Sequence, residues 1–472
     1  MLDWFPMLRR GLTGRLWVSV LFALVTADAI AGAGLTQTQS ADALAVEPVA
    51  VWAAGPIDVV AAFDRALDPS VADGLVGKTI PYHDPSTPVS DRSAARPLGA
   101  LRIVGARLTD GGRTLSLATD PHPRMARYVL PLPPPKGDKG ANSAVATPPA
   151  YDLGGVEVTW SPEGDLDERS RWSGWWPLVD VEATRRLTQG SQPHVVGLAL
   201  LTKPGELVLN TLVRLPRGKF TASIEASQPI LEAALGEVQA ERTGPALFAV
   251  TDRVVLNVAS EGVPLFLSIT CRTGGNARPF RLKATYRGPG DKTDHTLGRD
   301  ELILPWAPYP SPATAAPFVV PDLSGGDAGR GQTIFTGEQA RCAQCHAIRG
   351  QGGKVGPDLT DVARKSRAEI YRAIAEPSES IEAEYTSYSV ATRDGHVVVG
   401  VVRAEDADLI RVTDTNAHAV LIPRRELEQI RPSANSIMPV GLTGLLGAAA
   451  LRDLIAFLTT DPPPSRAGQP AR

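Results

Sequence analysis

The stretch Cys342-Ala343-Gln344-Cys345-His346 decides the interpretation of this 472-residue chain. Two thiols at this spacing can each form a thioether to one vinyl group of the same porphyrin, and the adjacent imidazole can then bind the iron. Redox dithiols and half-sites for zinc share the spacing. A zinc site needs a second ligand pair, but the only other cysteine is the distant Cys271, and the flanking sequence lacks the βαβ pattern of a dithiol protein. The stretch therefore predicts one covalently attached haem c, with His346 as an iron ligand.

The segments on both sides of this motif agree with a haem site. Asp327 can cap a short helix on which Gly331 and Phe335 share one face. After the motif, the glycines of residues 352–356 allow the backbone to pass close to a flat ligand. We therefore expect a helix to precede the motif and a close-fitting loop to follow it.

Met438 is the candidate for the second axial ligand. It is the only methionine after the motif, and it precedes Pro439 and an apolar helix predicted over residues 445–458. A stripe of apolar residues predicts the buried face of this helix, namely Leu451, Leu454, Ile455 and Leu458. Because a thioether opposite an imidazole is a common axial pair in electron-transfer haem proteins, we expect Met438 to bind iron rather than only to fill a core.

Six short motifs in the C-terminal part of the chain together have a counterpart in one family. They are Cys342-x-x-Cys345-His346, Gly353-x-x-Gly356-Pro357-Asp358-Leu359, Glu376-Pro377-Ser378, Asp394-Gly395, Ser436-x-Met438-Pro439 and Asp453-Leu454-Ile455-x-Phe457-Leu458. With these motifs, residues 326–460 resemble a class I cytochrome c domain of the haem-binding type common in planctomycete and verrucomicrobial proteins. The resemblance implies that His346 and Met438 bind the iron axially. It also implies that the carbonyl of Pro357 accepts a hydrogen bond from the ring of His346.

An insertion separates His346 from Met438 by 438 − 346 = 92 residues, which is long for a small single-haem fold. Alternating residues, a hairpin signal at Asp394-Gly395 and further short apolar runs predict a small SH3-like β-barrel at residues 385–431. We expect it to form a structural lid over one haem edge, with docking of a redox partner as the alternative. We expect His396 and His418 to be surface residues beside hairpin turns rather than iron ligands.

Residues before the haem motif predict two mainly-β domains. Residues 45–130 resemble bacterial immunoglobulin-like sandwiches, and the segment from Ile57 to Asp64 is one of the expected extended segments. Residues 151–305 predict a second sandwich. Its candidate strands are Val156 to Trp160, Val195 to Leu201, Leu207 to Val213, Ala246 to Leu256 and Val263 to Cys271. Proline-rich linkers are predicted at 131–150 and 306–325. The fold class is thus multidomain, with two sandwich-like β domains followed by an α-helical cytochrome c domain that carries an inserted small β-barrel.

A few residues in these β domains invite a functional interpretation. Trp172, Trp175 and Trp176 could form a platform for a sugar or a protein partner, but we favour closure of a core because no polar set lies near them in sequence. His83 and His122 lack carboxylate partners at metal-ligand spacing, so we expect loop residues. We expect Cys271 to be a buried small side chain on a strand.

The first residues predict export. Arg9, Arg10 and Arg15 precede an apolar run over residues 16–25 that ends in small residues, which is the order of a secretory signal peptide at 1–31. We therefore expect a location in the periplasm or cell envelope. No later segment is long and apolar enough for an integral membrane span, and residues 461–472 are predicted to be disordered. The net charge of −3 gives no general attraction to nucleic acid.

Three functions remain open from the sequence. The first is an exported mono-haem electron carrier that exchanges electrons with protein partners and has no intrinsic catalysis. The second is a haem-bearing subunit or domain of a periplasmic oxidoreductase, and the third is a surface glycan-binding protein that carries a cytochrome domain. The chain contains no hydrolase elbow, phosphate loop, dinucleotide fingerprint or zinc protease motif, which favours the first.

Overall fold

The computed structural model describes residues 47–85, 96–132, 148–164, 171–240, 251–274, 279–308 and 318–460. All of them belong to one compact unit, Leu44–Arg472. The predicted signal peptide at 1–31 and the predicted tail at 461–472 lie outside the described residues, as do residues 133–147 of the first predicted linker. Across the described ranges, no helix is both long enough and apolar enough to cross a membrane.

A single antiparallel sheet forms the first β domain. Its strands are β1 (Pro48–Gly55), β2 (Asp58–Phe63), β3 (Thr79–His83), β4 (Gly99–Thr109), β5 (Thr114–Thr119), β6 (Arg127–Val129) and β7 (Ala150–Tyr151), with a short helix α1 (Pro69–Asp73) between β2 and β3. The order in the sheet is β1-β2-β5-β4-β3-β6-β7. The long β4 pairs with β3 through its first half and with β5 through its second. A register shift between Ile103 and Gly105 marks the change of partner, and Phe63, Ile80 and Tyr128 from both halves share one core.

The first β domain extends beyond its predicted end at residue 130. Tyr128 and Val129 of β6 pair with Tyr151 and Ala150 of β7. The last residue of the predicted linker at 131–150 is therefore part of the sheet. The proline-rich composition concealed this short strand because two residues give no periodic signal.

Two stacked sheets form the second β domain. Its elements are β8 (Val156–Pro162), β9 (Trp172–Trp176), α2 (Val181–Leu187), α3 (Gln192–Leu200), β10 (Gly205–Val213), β11 (Arg217–Ala226), β12 (Ile230–Leu235), β13 (Val238–Gln239), β14 (Asp252–Glu261), β15 (Leu265–Thr273), β16 (Leu282–Arg287), β17 (His295–Thr296) and β18 (Leu302–Ile303). One sheet has the order β13-β12-β15-β10-β8-β9 with β18 beside β10, and the other has the order β14-β11-β16-β17. Leu209 and Ile269 of the first sheet share a core with Ile224 and Leu256 of the second, as expected of a sandwich.

The strand predicted from Val195 to Leu201 is wrong, because these residues lie in and just after helix α3. Ser191 occupies the N-cap position and Pro193 the first turn, both of which favour the start of a helix. The β-branched pair Val195 and Val196 suggested a strand from local propensity alone. Tertiary packing opposes that propensity, since Gly197 gives the ring of Trp172 room to pack on the helix.

The two β domains share a core rather than meeting through a linker. Trp175 stacks on Trp52 of the first domain with ring centroids 5.6 Å apart. Trp306 and Ala307 are each only 4% exposed and belong to the same core. The linker predicted at 306–325 therefore begins too early, because proline content concealed the apolar pair at its start. At its other end, Leu323 is buried in the C-terminal domain.

The clustered tryptophans close cores, as favoured from the sequence. Trp176 is 0% exposed within the second domain, and Trp175 is 7% exposed. A sugar-stacking platform needs an open ring face, which these two side chains do not offer, so that alternative is wrong for them. Trp172 is partly buried and packs against the second core.

The C-terminal domain consists of four helices and a small inserted sheet. Its helical part contains α4 (Ala328–Thr336), α5 (Cys342–Cys345), β19 (Ala347–Ile348), β20 (Gln351–Gly352), α6 (Arg367–Ala375) and α7 (Leu442–Leu458). Asp327 caps α4 by accepting a hydrogen bond from the Arg330 amide, 2.8 Å away. Gly331 and Phe335 are buried on one face of α4, as predicted. Helix α7 begins three residues before its predicted start and is interrupted at Gly447. Its predicted apolar stripe is buried.

The inserted sheet occupies the region for which the sequence predicts a barrel. Its strands are β21 (Ser387–Thr392), β22 (Val397–Ala404), β23 (Leu409–Thr413), β24 (Ala419–Pro423) and β25 (Leu427–Pro432), in the order β24-β23-β22-β21-β25. Tyr388, Val402 and Ile410 belong to its core. Ile57 of the first β domain is part of this same core and is 1% exposed. This order is open, since β24 and β25 are its two edges and do not pair with each other; we refer to strands β21–β25 as the inserted barrel, after the prediction.

Polar contacts also join the inserted barrel to the first β domain. The guanidinium of Arg424 donates to the carboxylate of Asp58 at 3.1 Å and to the carbonyl of Thr119 at 3.2 Å. Arg102 of the first domain donates to the carbonyl of Ala404 at 2.7 Å. The barrel is therefore packed against the β domains as well as inserted in the haem-motif domain.

The two histidines of the first domain are buried. His122 lies in a loop, as predicted, with Nδ1 2.7 Å from the carbonyl oxygen of Pro56 and Nε2 3.0 Å from the hydroxyl of Tyr151. The loop prediction is wrong for His83, which is the last residue of β3 and is 5% exposed. Among the described residues, no group of three or more metal-binding side chains is assembled.

Candidate haem site

The Cys-x-x-Cys-His motif forms a single helical turn, α5. Arg341 precedes it in the left-handed conformation, with φ of 50°, and the amide of His346 donates to the carbonyl of Cys342 at 2.9 Å. Residues three apart in a helix share a face. The side chains of Cys342 and Cys345 therefore project from one side of the turn, and both are partly buried.

His346 is held in one orientation by Pro357. Its Nδ1 lies 2.9 Å from the carbonyl oxygen of Pro357, which can only accept a hydrogen bond. This is the hydrogen bond that the family resemblance implies. It places the proton on Nδ1 and leaves Nε2 as the nitrogen with a free lone pair. Burial lowers the pKa of His346, which favours the neutral ring that metal binding requires.

Gly356 lies directly against the His346 ring. A Cβ atom built on Gly356 would be 2.7 Å from Cε1 of His346 and 2.9 Å from Nδ1. Any larger residue would push the ring out of its position. The glycine-rich loop thus leaves space for the imidazole, whereas the sequence predicted a close approach of this loop to the flat ligand itself.

One cavity of about 560 Å³ brings the predicted site residues together. Its wall includes all five of them, namely Cys342, Cys345, His346, Pro357 and Met438. Most of the remaining wall is apolar and includes Phe335, Leu359, Ile370, Ile374, Leu442, Leu454 and Leu458. The volume falls within the range of about 300–1,000 Å³ that small-molecule and cofactor sites have. Two thiols, one imidazole with a free nitrogen, one thioether and an apolar wall fit a c-type haem.

The loop that carries Met438 is fixed by serine hydroxyls. The amide of Met438 donates to Oγ of Ser436 at 3.1 Å, and the amide of Ser436 donates to Oγ of Ser378 at 3.0 Å. Ser378 follows Pro377, which also lines the cavity. Ser378 and Ser436 belong to the motifs named above, but their contact could not be predicted, because they lie 58 residues apart and give no local signal.

The inserted barrel reaches the motif helix. The side-chain amide of Gln344 donates to the carbonyl of Asn416, at the turn between β23 and β24, with a distance of 2.7 Å. Tyr385, just before β21, lines the cavity. Neither contact could be predicted from the sequence, because each depends on how the insertion folds back.

The two histidines of the inserted barrel do not line the cavity. The side chains of His396 and His418 are 79% and 78% exposed, beside Asp394 and Asp414 of the hairpin turns. The interpretation of both as surface residues is therefore confirmed.

The thiols lack the properties of a redox dithiol. Burial raises the pKa of Cys342 to about 11, and burial also raises the pKa of Cys345. Reactive cysteines in Cys-x-x-Cys oxidoreductases have lowered pKa values instead. Cys271 lies on β15 and is 0% exposed, which confirms the prediction of a buried small side chain on a strand, and burial raises its pKa to about 12.

Comparison with known proteins identifies one domain. Residues 328–413 match the cytochrome c family model, so the chain contains a cytochrome c domain there. Such a domain implies covalently bound haem c and haem-based electron transfer. The match ends before Met438. No curated protein matched the chain.

Several solved structures show low similarity to parts of the chain. The PA14 domain of the antifreeze protein MpAFP has 10% identity and a TM-score of 0.24, over 32% of this chain and 90% of its own. The epithelial adhesin 6 A domain from Candida glabrata has 12% identity and a TM-score of 0.24, over 32% and 87%. An anti-sigma factor domain-containing protein from Clostridium clariflavum has 10% identity and a TM-score of 0.24, over 56% and 92%. TM-scores this low do not establish a shared fold.

Proposed function

We propose that this protein is an exported mono-haem c-type cytochrome that passes single electrons between redox partners, with His346 and Met438 as the axial ligands. The observation that carries the proposal is the convergence of Cys342, Cys345, His346 and Met438 on one apolar cavity. A bound haem supplies a one-electron couple of its iron at that place.

Each residue has a separate role in this proposal. Cys342 and Cys345 form the two thioether bonds, which fix the cofactor to the turn α5. His346 binds through Nε2, because Nδ1 is engaged with the carbonyl of Pro357. Met438 supplies the thioether sulfur, which stabilises the reduced form and raises the potential.

The apolar wall supports electron transfer rather than chemistry on a substrate. Ile370, Ile374 and Leu454 are 4%, 8% and 2% exposed and belong to the core beneath the cavity. Such a wall lowers the local dielectric and limits access of water to the metal, which tunes its potential. A haem held by both His346 and Met438 would leave no coordination position of the iron for a substrate.

The proposal also includes export of the protein from the cytoplasm. It is supported by the arginines at positions 9, 10 and 15, the apolar run over residues 16–25 and the small residues that follow. Fractionation of expressing bacterial cells tests it: the haem-stained, shortened chain should appear in the periplasmic or envelope fraction. An unshortened chain that stays in the cytoplasm would contradict export.

The first experiment is a reduced-minus-oxidised absorption spectrum of the purified protein, from a host that matures c-type cytochromes. We expect a low-spin c-type spectrum and one haem per chain that remains attached after denaturation. Cys345→Ala should lose stable attachment, whereas Cys271→Ala is the matched control and should retain it, because Cys271 lies in the second β domain. A haem-free or high-spin product would overturn the proposed ligation.

A further inference from the structure

We infer that Ser387 of the inserted barrel and Ser378 are positioning residues for Met438, so that the barrel determines where the methionine ligand lies. We call residues 433–441 the methionine loop. The inference rests on the proposed function, because it assumes that Met438 binds the iron. The inserted barrel then has a role in haem ligation, which neither the Cys-x-x-Cys-His motif nor the family match describes.

Ser387 makes two hydrogen bonds to the methionine loop. Its hydroxyl donates to the carbonyl of Asn435 at 2.6 Å, and its carbonyl accepts from the amide of Ser433 at 2.8 Å. The side chain of Ser387 is 0% exposed, so water does not compete for its hydroxyl. Asn435 lies only three residues before Met438, so this contact limits the path of the chain to the ligand.

Ser378 holds the same loop through a second contact. Its hydroxyl accepts from the amide of Ser436, and Ser436 in turn accepts from the amide of Met438. The loop is thus bound at residues 433, 435, 436 and 438 before α7 begins. A loop with a defined path loses less entropy on ligation than a free one, which favours the bound state of the sulfur.

Strand β21 links this loop to the first β domain. Successive side chains of a strand point to opposite faces. Ser387 therefore faces the methionine loop, while the next residue, Tyr388, faces the barrel core and is 2% exposed. Tyr388 shares that core with Ile57 and donates to the carbonyl of His122 at 3.4 Å. The loop is consequently supported by a strand whose other face is packed on a different domain.

Loss of the Ser387 hydroxyl should loosen the loop rather than unfold the domain. Asn435 is exposed, so its carbonyl can bond to water once the serine is gone. The loss of one such hydrogen bond changes an equilibrium by roughly five-fold. We therefore expect the fraction of reduced protein with an open sixth position to rise about five-fold in Ser387→Ala, by the same reasoning.

Carbon monoxide is the probe, because it binds reduced haem only where the sixth position is open. Its binding rate and the midpoint potential are measured for the full-length haem protein and for Ser387→Ala, Ser378→Ala and Met438→Ala. Ser389→Ala is the control, since Ser389 lies on the same face of β21 but outside the methionine loop contacts. Ser387→Thr retains a hydroxyl and should restore slow binding.

Each outcome bears on one claim. Faster binding and a lowered potential in Ser387→Ala and Ser378→Ala, with Ser389→Ala unchanged, support the inference. If Met438→Ala alters both quantities but neither serine variant does, the inference is wrong while the ligand assignment stands. If Met438→Ala alters neither, the proposed ligation itself fails. Should Ser387→Ala lose its haem during purification, Ser378→Ala still decides between these outcomes.

Discussion

The carbonyl oxygen of Asp453 lies against the α-carbon of Gly331, where α4 crosses α7. A Cβ atom on Gly331 would come within 2.0 Å of that oxygen and 2.7 Å of Cβ of Phe457. At the same crossing, the guanidinium of Arg330 donates two hydrogen bonds to the carboxylate of Asp453, at 2.7 and 2.9 Å. The crossing brings together the two helices that border the haem cavity, since Phe335 of α4 and Leu454 of α7 both line it.

Gly331→Ala should destabilise the C-terminal domain. The two helices must separate to admit the methyl group, and overpacking of this kind costs about 1–3 kcal/mol. The measurement is the free energy of unfolding of the haem-loaded protein, followed at the haem absorption band. Gly444→Ala is the control, because nothing lies within 4 Å of a Cβ there. Equal stability of the two variants would show that the crossing tolerates a side chain.

Gly356→Ala should disturb the proximal ligand without removing it. The added methyl group would contact the His346 ring at 2.7 Å and turn it away from the carbonyl of Pro357. Weakening that hydrogen bond makes the imidazole a poorer donor to iron, so we expect a changed potential and a lower haem yield. Midpoint titration and the ratio of haem to protein are the measurements, again with Gly444→Ala as control. An unchanged potential at full haem content would contradict this expectation.

The site was predictable from the sequence to the extent that its chemistry is local. Cys342 and Cys345 lie on one helical turn and His346 follows it directly, so their spacing alone places them together. Met438 was predicted from its place before Pro439 and the last helix, and Pro357 through a family resemblance; both line the cavity in the structure. The hydrogen bond between Ser378 and Ser436 spans 58 residues, and the one between Ser387 and Asn435 spans 48. Neither could be predicted from the sequence, because partners this far apart give no local signal.

The fold was predictable where periodicity was strong. The alternating pattern of β10 and the apolar stripe of α7 gave the correct element type. Helix α3 was mistaken for a strand because the packing of Trp172 on Gly197, which supports the helix, is invisible to local propensity. The shared core of the β domains was missed because Trp175 and Trp306 reach it from segments far apart in sequence.

Ile57→Ala should weaken the inserted barrel although Ile57 belongs to another domain. The side chain is 1% exposed within the barrel core, and truncation of buried isoleucine costs about 2–5 kcal/mol. We expect a lower midpoint of chemical unfolding and faster proteolysis within residues 387–432. Val255→Ala, at a side chain that is 49% exposed, should change neither quantity. A barrel with wild-type resistance to protease would show that Ile57 contributes nothing to its core.

The buried His122 should make stability fall in mild acid. Burial lowers its pKa to about 4, against the opposing effect of its hydrogen bond to the Pro56 carbonyl. The pKa of a histidine in an unfolded chain is near 6.5. At a pH between that pKa and about 4, the unfolded chain therefore binds a proton that the folded one does not. Stability therefore decreases as the pH falls through this window, by up to about 3 kcal/mol. Free energies of unfolding measured from pH 7 to 4.5 should fall less steeply for His122→Gln than for the unaltered protein, and equal slopes would contradict this expectation.

Met438→Ala should leave the haem covalently attached and lower its midpoint potential. Attachment depends on Cys342 and Cys345, which the substitution does not touch, whereas the thioether sulfur favours the reduced iron. Potentiometric titration measures the shift, and mass spectrometry of the denatured chain measures attachment. Met125→Ala is the matched control, because Met125 packs against the core of the first β domain and not in the cavity. A potential equal to that of the unaltered protein would exclude Met438 as the ligand.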